Sequence, residues 1–440
     1  MKITEIKIRN FRGFKEKTIR FNSNLTVVIG NNTAGKTTLL KAIQVGLGAY
    51  LQSLSRLPGG SQYRRNFSAM DVHKPFDPNL RDYVSQPEPA RIDIQASFPI
   101  TDDNESITDR EISWYREFAG ARHTTHTQAC AGELMGITQL MEKRRFEDHQ
   151  KTIFPLVLSF GAKRTEDLQT KTSIKVKERL SGIEKAYKNA LHDKVDFEGT
   201  RYWLKSYDKS LRDAKEYEGT REAFFEALQT AIPALSEIDF DNGELEALVS
   251  VTGRNPERHH VSYMSDGLQS MINIVSEIAH RCIELNGMWK EDCIKETRGV
   301  VLIDEIDLYL HPHWQRHVLH DLTNAFPNIQ FIVSTHSPYI IQSLNQPGQL
   351  VSFDDEADVS GEPFRESIED ISSQRMGMEQ NIRSRKFIAM VEAAEQFFQA
   401  VDSGAANKEE LKRQLAILEA EYSTDPAYLA MIKSKYPNNQ

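Results

Sequence analysis

The run Gly30-Asn31-Asn32-Thr33-Ala34-Gly35-Lys36-Thr37-Thr38 carries the spacing G-x-x-x-x-G-K-[ST]. Glycine lets the backbone N–H groups of such a loop wrap phosphate oxygens. Lys36 supplies a cation for the β- and γ-phosphates, and the Thr37 hydroxyl is a ligand for Mg2+. Downstream, Gly299-Val300-Val301-Leu302-Ile303-Asp304-Glu305 runs a buried strand into two carboxylates. Asp304 suits the Mg2+ shell, and Glu305 suits a water that attacks a γ-phosphate. Ser334-Thr335-His336-Ser337 ends a further apolar strand, where the histidine can reach the same phosphate. A fourth motif, Tyr263-Met264-Ser265-Asp266-Gly267-Leu268-Gln269, opens an apolar helix-like stretch. The first turn of a helix presents unpaired N–H groups and a partial positive charge, so this motif is an anion site. His311, His313, His317 and His320 invite a metal reading, the last three on one helical face. They lack a carboxylate or cysteine partner and the Glu of H-E-x-x-H, and they read instead as part of an amphipathic helix with Trp314, Val318 and Leu319.

These residues need strands that end on them and helices that start from them. L-T-V-V-I-G at 25–30 is a buried strand into the glycine-rich loop, and T-T-L-L-K-A-I-Q-V is the helix leading out. Ile3, Ile6 and Ile8, then Phe11, Phe14 and T-I-R-F, form a two-strand pattern of half-buried alternation. Residues 55–90 read as an irregular insertion, A-R-I-D-I-Q-A-S-F as a strand, and 103–150 as polar and partly helical. I-F-P-L-V-L-S-F is another buried strand, closed by Gly161. The chain is charged and helical from about 163 to 232; S-E-I-D-F and L-E-A-L-V-S-V are β-like, and 361–440 is helical again.

Composition bounds the rest. The chain has 440 residues, a formal net charge of -9 and 39% hydrophobic residues, which fits a globular protein and excludes a globally basic binder of nucleic acid. The run 163–218 is locally basic, with 14 Lys+Arg against 11 Asp+Glu, and a DNA contact would use such a patch; its simpler reading is a solvated helical face. Cys130, Cys282 and Cys293 form no C-x-x-C pair, which points to the reducing cytoplasm rather than to a disulfide framework. No apolar run is long enough to span a membrane, and no secretory h-region is present, so no membrane partner is expected.

In the order P-loop, M-S-D-G-L-Q, D-E, T-H, the motifs resemble those of ABC-type ATPases, in particular the RecF/SMC-like branch. The resemblance implies an α/β, ABC-type P-loop ATPase core with a helical insertion and a helical C-terminal tail. Residues 1–162 would form the N-terminal lobe, 163–250 the helical insertion, 251–355 the C-terminal lobe, and 356–440 a tail for oligomer or partner contacts. It implies ATP and Mg2+ as ligands, with Ser265, Asp266 and Gly267 contacting the ATP of a neighbouring subunit, so that two chains sandwich two nucleotides. I-K-I-R-N-F-R-G-F looks like the N-terminal strand of RecF-like proteins, which brings Arg12 toward the nucleotide. Asp307 and His311, in E-I-D-L-Y-L-H-P-H-W-Q, fall in a stretch similar to the D-loop of RecF/SMC-like ATPases of anti-phage defence, as does F-P-N-I-Q-F-I-V-S-T-H-S-P.

One departure stands out. Many ABC ATPases carry a glutamine after an early strand that helps hold Mg2+, whereas Gly161-Ala162-Lys163-Arg164 follows F-P-L-V-L-S-F here. That departure and the aspartate at 266, in place of the first glycine of L-S-G-G-Q, argue against a transporter subunit. The layout resembles the ATPase subunit of Septu-type anti-phage systems, PtuA, also found with retrons. That resemblance implies a homo-oligomer, a dimer or larger, that controls a separate HNH nuclease subunit. The chain itself lacks an H-N-H motif and the acidic pattern of a Toprim nuclease, so no nuclease activity is expected in it. Two alternatives stay open: a PARIS-type defence ATPase holding a different nuclease, and a RecF-like repair ATPase that binds DNA directly.

Overall fold

The computed structural model describes residues 1–31, 33–84, 88–119, 123–162, 181–193, 202–207, 219–241, 244–250, 255–346, 348–353, 362–376, 385–403, 408–421, 428, 430 and 432–433. Asn32, Lys163, Arg164 and most of the basic run 163–218 lie outside the described residues. The chain divides into two compact units, Met1–Ile371 and Ser372–Gln440.

The first unit is built on a parallel sheet of β3 (Leu25–Ile29), β9 (Leu156–Phe160), β13 (Gly299–Ile303), β14 (Ile329–Ser334) and β15 (Leu350–Ser352), in the order β15-β3-β14-β13-β9. Every residue of β3, β9, β13 and β14 is buried, as expected for a parallel sheet covered on both faces. Because the strands are parallel, their C-terminal ends share one edge, where the ligand site of such a sheet forms. A second, antiparallel sheet runs β2-β1-β6-β7-β8, from β1 (Lys2–Phe11), β2 (Phe14–Arg20), β6 (Arg91–Thr101), β7 (Ile107–Ala119) and β8 (His123–Thr124). The buried Gln330 side chain joins the two sheets, accepting from Ile3 N at 2.7 Å and donating to Ile3 O at 2.8 Å.

Helix α1 (Lys36–Ser53) touches both sheets. Trp114 of β7 donates to Gly46 O at 2.9 Å, and Gln44 donates to Ser159 of β9 at 2.8 Å. Helix α2 (Gln128–Phe146) packs on β7. The sequence reads 103–150 as polar and partly helical, yet it contains the long strand β7. The reason is one inward position: Ile112, Trp114, Arg116 and Phe118 are all buried, and the arginine among them hides the alternation.

A small hairpin of β4 (Phe76–Asp77) and β5 (Asp82–Tyr83) lies in the 55–90 insertion. Helices α3 (Gly182–Tyr187) and α4 (Thr220–Ala231) pack against α5 (Asp266–Asn286), and a third sheet, β10 (Leu235–Asp241), β11 (Glu244–Val249) and β12 (Glu257–His260), precedes it. The histidine-rich stretch is two helices, α6 (Pro312–Gln315) and α7 (Val318–Ala325), with the break at Arg316–His317. The continuous helix expected there is interrupted, although the His313 and His317 rings still meet edge to face at 5.3 Å. Helix α8 is Pro338–Gln342.

The second unit contains helices α9 (Arg385–Ser403) and α10 (Lys408–Glu421). Met390, Ala394 and Phe397 at i, i+4 and i+7 form one apolar stripe, which joins Leu411, Leu418, Tyr428 and Ile432 in a small core. The Tyr428 hydroxyl donates to Met390 O at 2.7 Å, so its buried polar end is satisfied.

Candidate active site

The glycine-rich loop leaves β3 at Gly30 and enters α1 at Lys36. Gly35 has φ 114, and a Cβ there would lie 2.6 Å from the Phe14 ring, so both backbone and packing require glycine. Thr33 also has positive φ, 76, and Ala34 N donates to Asn31 O at 3.1 Å, which curls the loop. The Lys36 ammonium donates to Gly30 O at 2.6 Å and to Asn31 O at 3.3 Å. It lies over the cradle where a phosphate would be held. Thr37 and Thr38 follow in the first turn of α1.

At the end of β13, Asp304 meets the end of β14 and the first turn of α1. Thr37 Oγ1 donates to Asp304 Oδ2 at 2.9 Å, and Ser334 Oγ donates to Asp304 Oδ1 at 2.5 Å. The same Ser334 oxygen accepts from Glu305 N at 2.8 Å. Glu305 sits at φ 51, a left-handed conformation uncommon for a non-glycine residue, so the chain turns sharply as it leaves β13. A hydroxyl and a carboxylate meeting this way are hard oxygen donors, the ligand type Mg2+ prefers, so the residues present fit that ion.

The stretch after β13 is held to the stretch after β14. Asp307 Oδ1 accepts from Thr335 Oγ1 at 2.5 Å and from His336 N at 3.4 Å. Gln315 of α6 donates to Leu310 O at 2.8 Å and accepts from Ser337 Oγ at 2.6 Å. His311 caps α6, its Nδ1 accepting from His313 N at 3.3 Å. Ser265 is the N-cap residue of the 21-residue helix α5, and its side chain makes no capping bond, which leaves the hydroxyl at the positive end of that helix. Asp266 and Gly267 open the first turn, and a Cβ on Gly267 would lie 2.7 Å from Tyr309 O. The glycine is therefore what lets the signature turn rest on the 305–310 stretch.

Most of the sequence-derived residues lie at these strand and helix ends; Asn32 is outside the described residues. Arg12 lies in the β1–β2 turn at φ 48, where its guanidinium binds the fully buried Asp71 carboxylate at 2.7 Å. Sequence reasoning passed over Ser334 and Gln315 as functional side chains. Both are polar residues inside motifs already singled out, and their roles depend on distances between separate loops. It also passed over Asp193, which closes the end of β9: Gly161 N donates to Asp193 O at 3.2 Å. Lys41 donates to the Asp193 carboxylate at 2.6 Å and Gln44 at 3.0 Å. Burial pushes that carboxyl up, but Lys41, Gln44 and Arg65 outweigh it and hold it below the usual range.

The family model described as "AAA domain" matches residues 5–236, and that described as "AAA ATPase domain" matches residues 141–341. The chain is 23% identical over 393 residues to the Retron Vc95 probable ATPase of Vibrio cholerae serotype O1 biovar El Tor, covering 78% of this chain and 72% of that one. It is 24% identical over 364 residues to the Septu protein PtuA of Bacillus thuringiensis, covering 81% and 77%. A crystal structure of the SmcHead bound to the C-winged helix domain of ScpA aligns with 80% of this chain and 94% of its own, at 16% identity and a TM-score of 0.47. With the AAA domain spanning more than half of its length, the chain belongs to that family of P-loop proteins and is an ATPase related to the retron and Septu ATPases.

Proposed function

We propose that the chain binds ATP with Mg2+ at this site, hydrolyses it between two copies of itself, and uses that cycle to control a separate nuclease in an anti-phage defence complex. The observation that carries the reading is the 2.9 Å bond between Thr37 and Asp304, which joins the glycine-rich loop to the acidic strand end across 267 residues. Mg2+ held by the Thr37 hydroxyl and Asp304 carboxylate would neutralise charge on the β- and γ-phosphate oxygens. Lys36 adds a second positive charge beside the same phosphates. Glu305 takes the proton of the attacking water as the bond from the γ-phosphorus to the bridging oxygen breaks and ADP leaves. His336 donates a hydrogen bond to the γ-phosphate. Ser265, Asp266, Gly267 and the N-terminus of α5 cap the nucleotide of a second copy, which makes ATP a signal for assembly.

The relatedness to a retron ATPase and to Septu protein PtuA supports the defence setting. A helical second unit with its own core is a suitable partner-docking element. The test is recovery of tagged Glu305→Gln protein from its native host followed by intact-complex mass. The expected species is a multi-copy ATPase carrying a small HNH-type nuclease. An oligomer carrying only nucleotide or DNA would overturn the nuclease-control reading and favour a DNA-binding repair ATPase. Ser265→Arg tests the shared site: nucleotide binding by the single chain is retained and assembly is lost.

A further inference from the structure

Of the histidines between 311 and 320, two are occupied by local bonds. His311 Nδ1 accepts from His313 N at 3.3 Å, and His320 Nε2 bonds the Asn324 amide at 2.9 Å. His313 and His317 differ: both are exposed, and among the described residues neither imidazole makes a hydrogen bond or a salt bridge. Their rings face each other instead, with centroids 5.3 Å apart and planes 71° apart. The four-residue spacing puts both on one side of the chain, and the break between α6 and α7 does not separate them.

The charges around the pair favour a cation. Arg316, between the two in sequence, sets its guanidinium over the Tyr339 ring at 5.1 Å, so its charge is directed onto an aromatic face. Asp321 follows one turn after His317, with Asp321 N donating to His317 O at 2.9 Å. Burial pushes the Asp321 carboxyl up, and His317 and His320 beside it pull it back, which places a negative group close to the pair. Imidazole nitrogens are the donors that Zn2+, Ni2+ and Cu2+ take readily, whereas Mg2+ takes oxygen. The separation of the rings also fits. With a metal–nitrogen distance of about 2.1 Å and a tetrahedral angle, the centroids of two chelating imidazoles stand about 5 Å apart. No group of three or more His, Cys, Asp or Glu side chains among the described residues could hold a metal ion, so the pair supplies two ligands only.

We propose that His313 and His317 chelate a transition-metal dication of the Zn2+ class, with water in its remaining positions. The ion ties α6 to α7 across their break at Arg316–His317. Helix α6 carries Gln315, which donates to Leu310 O at 2.8 Å and accepts from Ser337 Oγ at 2.6 Å, so a metal here stiffens the support of the two stretches that leave β13 and β14. The site uses neither Thr37 nor Asp304, and its ligands differ in kind from the oxygens that fit Mg2+.

The test is isothermal titration calorimetry of ZnCl2 into the full chain, in a buffer that holds excess Mg2+ and no nucleotide. The expected result is saturable binding of one ion per chain, weakened about tenfold or more by His313→Ala and by His317→Ala, since losing a ligand costs at least as much as losing a group that orients one. His320→Ala serves as the control and leaves the affinity unchanged, because that ring is engaged with Asn324. Both proposed ligands are exposed and hold no bond, so the metal-free variants keep the thermal midpoint of the native chain. Added Zn2+ raises the midpoint of the native chain and not that of the His313→Ala, His317→Ala double variant. No saturable binding, binding that survives in the double variant, or equal weakening by His320→Ala overturns the proposal.

Discussion

Helix α1 handles charge in two different ways along its length. At its N-terminus, Lys36 donates to backbone carbonyls and Asp304 accepts from two hydroxyls. One to two turns on, Lys41 is locked to Asp193, and the remaining charge sits on arginines packed into the insertion. The first arrangement gathers opposite charges at the end of the glycine-rich loop. The second spends one ion pair on closing the end of β9 and keeps a positive excess beside it.

The largest expected effects fall at the N-terminal end. Lys36→Ala is expected to reduce ATP affinity by more than about a hundredfold, as a charge-assisted phosphate contact is lost, and equilibrium binding of labelled ATP measures it. Glu305→Gln is expected to leave ATP affinity nearly unchanged while lowering single-turnover hydrolysis by roughly 10²–10⁴-fold, the range of a general base. Equal losses of binding and hydrolysis in that variant would remove the distinction between holding phosphate and activating water.

Effects on stability come next. Asp71→Ala leaves the Arg12 guanidinium without its partner beside a buried site and is expected to cost about 3 kcal/mol, read from denaturant unfolding. The same carboxyl gives a pH signature. Burial pushes it up, yet bonds from Ser68 and Arg12 and the charge of Arg65 outweigh that and hold it below the usual range. A carboxyl depressed on folding stabilises the native state above its unfolded pKa of about 3.9, and that contribution is lost as pH falls through the lower folded value. The thermal midpoint of the native chain should therefore drop more steeply below about pH 4 than that of Asp71→Asn. The smallest effect is expected at Lys41–Asp193: the carboxylate is half exposed, so a double-mutant cycle should give about 1 kcal/mol or less. A larger coupling would mean that this pair carries structural weight comparable to Asp71.

The two regions also differed in how legible they were. The glycine-rich loop, Asp304-Glu305 and Thr335-His336 could be read because each is a short run at the end of a continuous apolar strand, and strand ends in a parallel sheet share one edge. Strand β7 was hidden by the inward Arg116, and the histidine helix divided at Arg316–His317 although its spacing reads as continuous. The bond of Arg12 to a buried aspartate 59 residues away could not be read from the sequence.

The sequence by itself determined the glycine-rich spacing at 30–37 and the two carboxylates that follow β13, since these depend on residue type and on spacing within one short run. Only the tertiary structure decided that Ser334 and Gln315 brace the site, that Asp193 closes β9, and that Arg64, Arg65 and Arg116 gather beside α1. Those relations join segments far apart in the chain. Electrostatic and hydrogen-bond interactions are set by distances in space that no local pattern encodes.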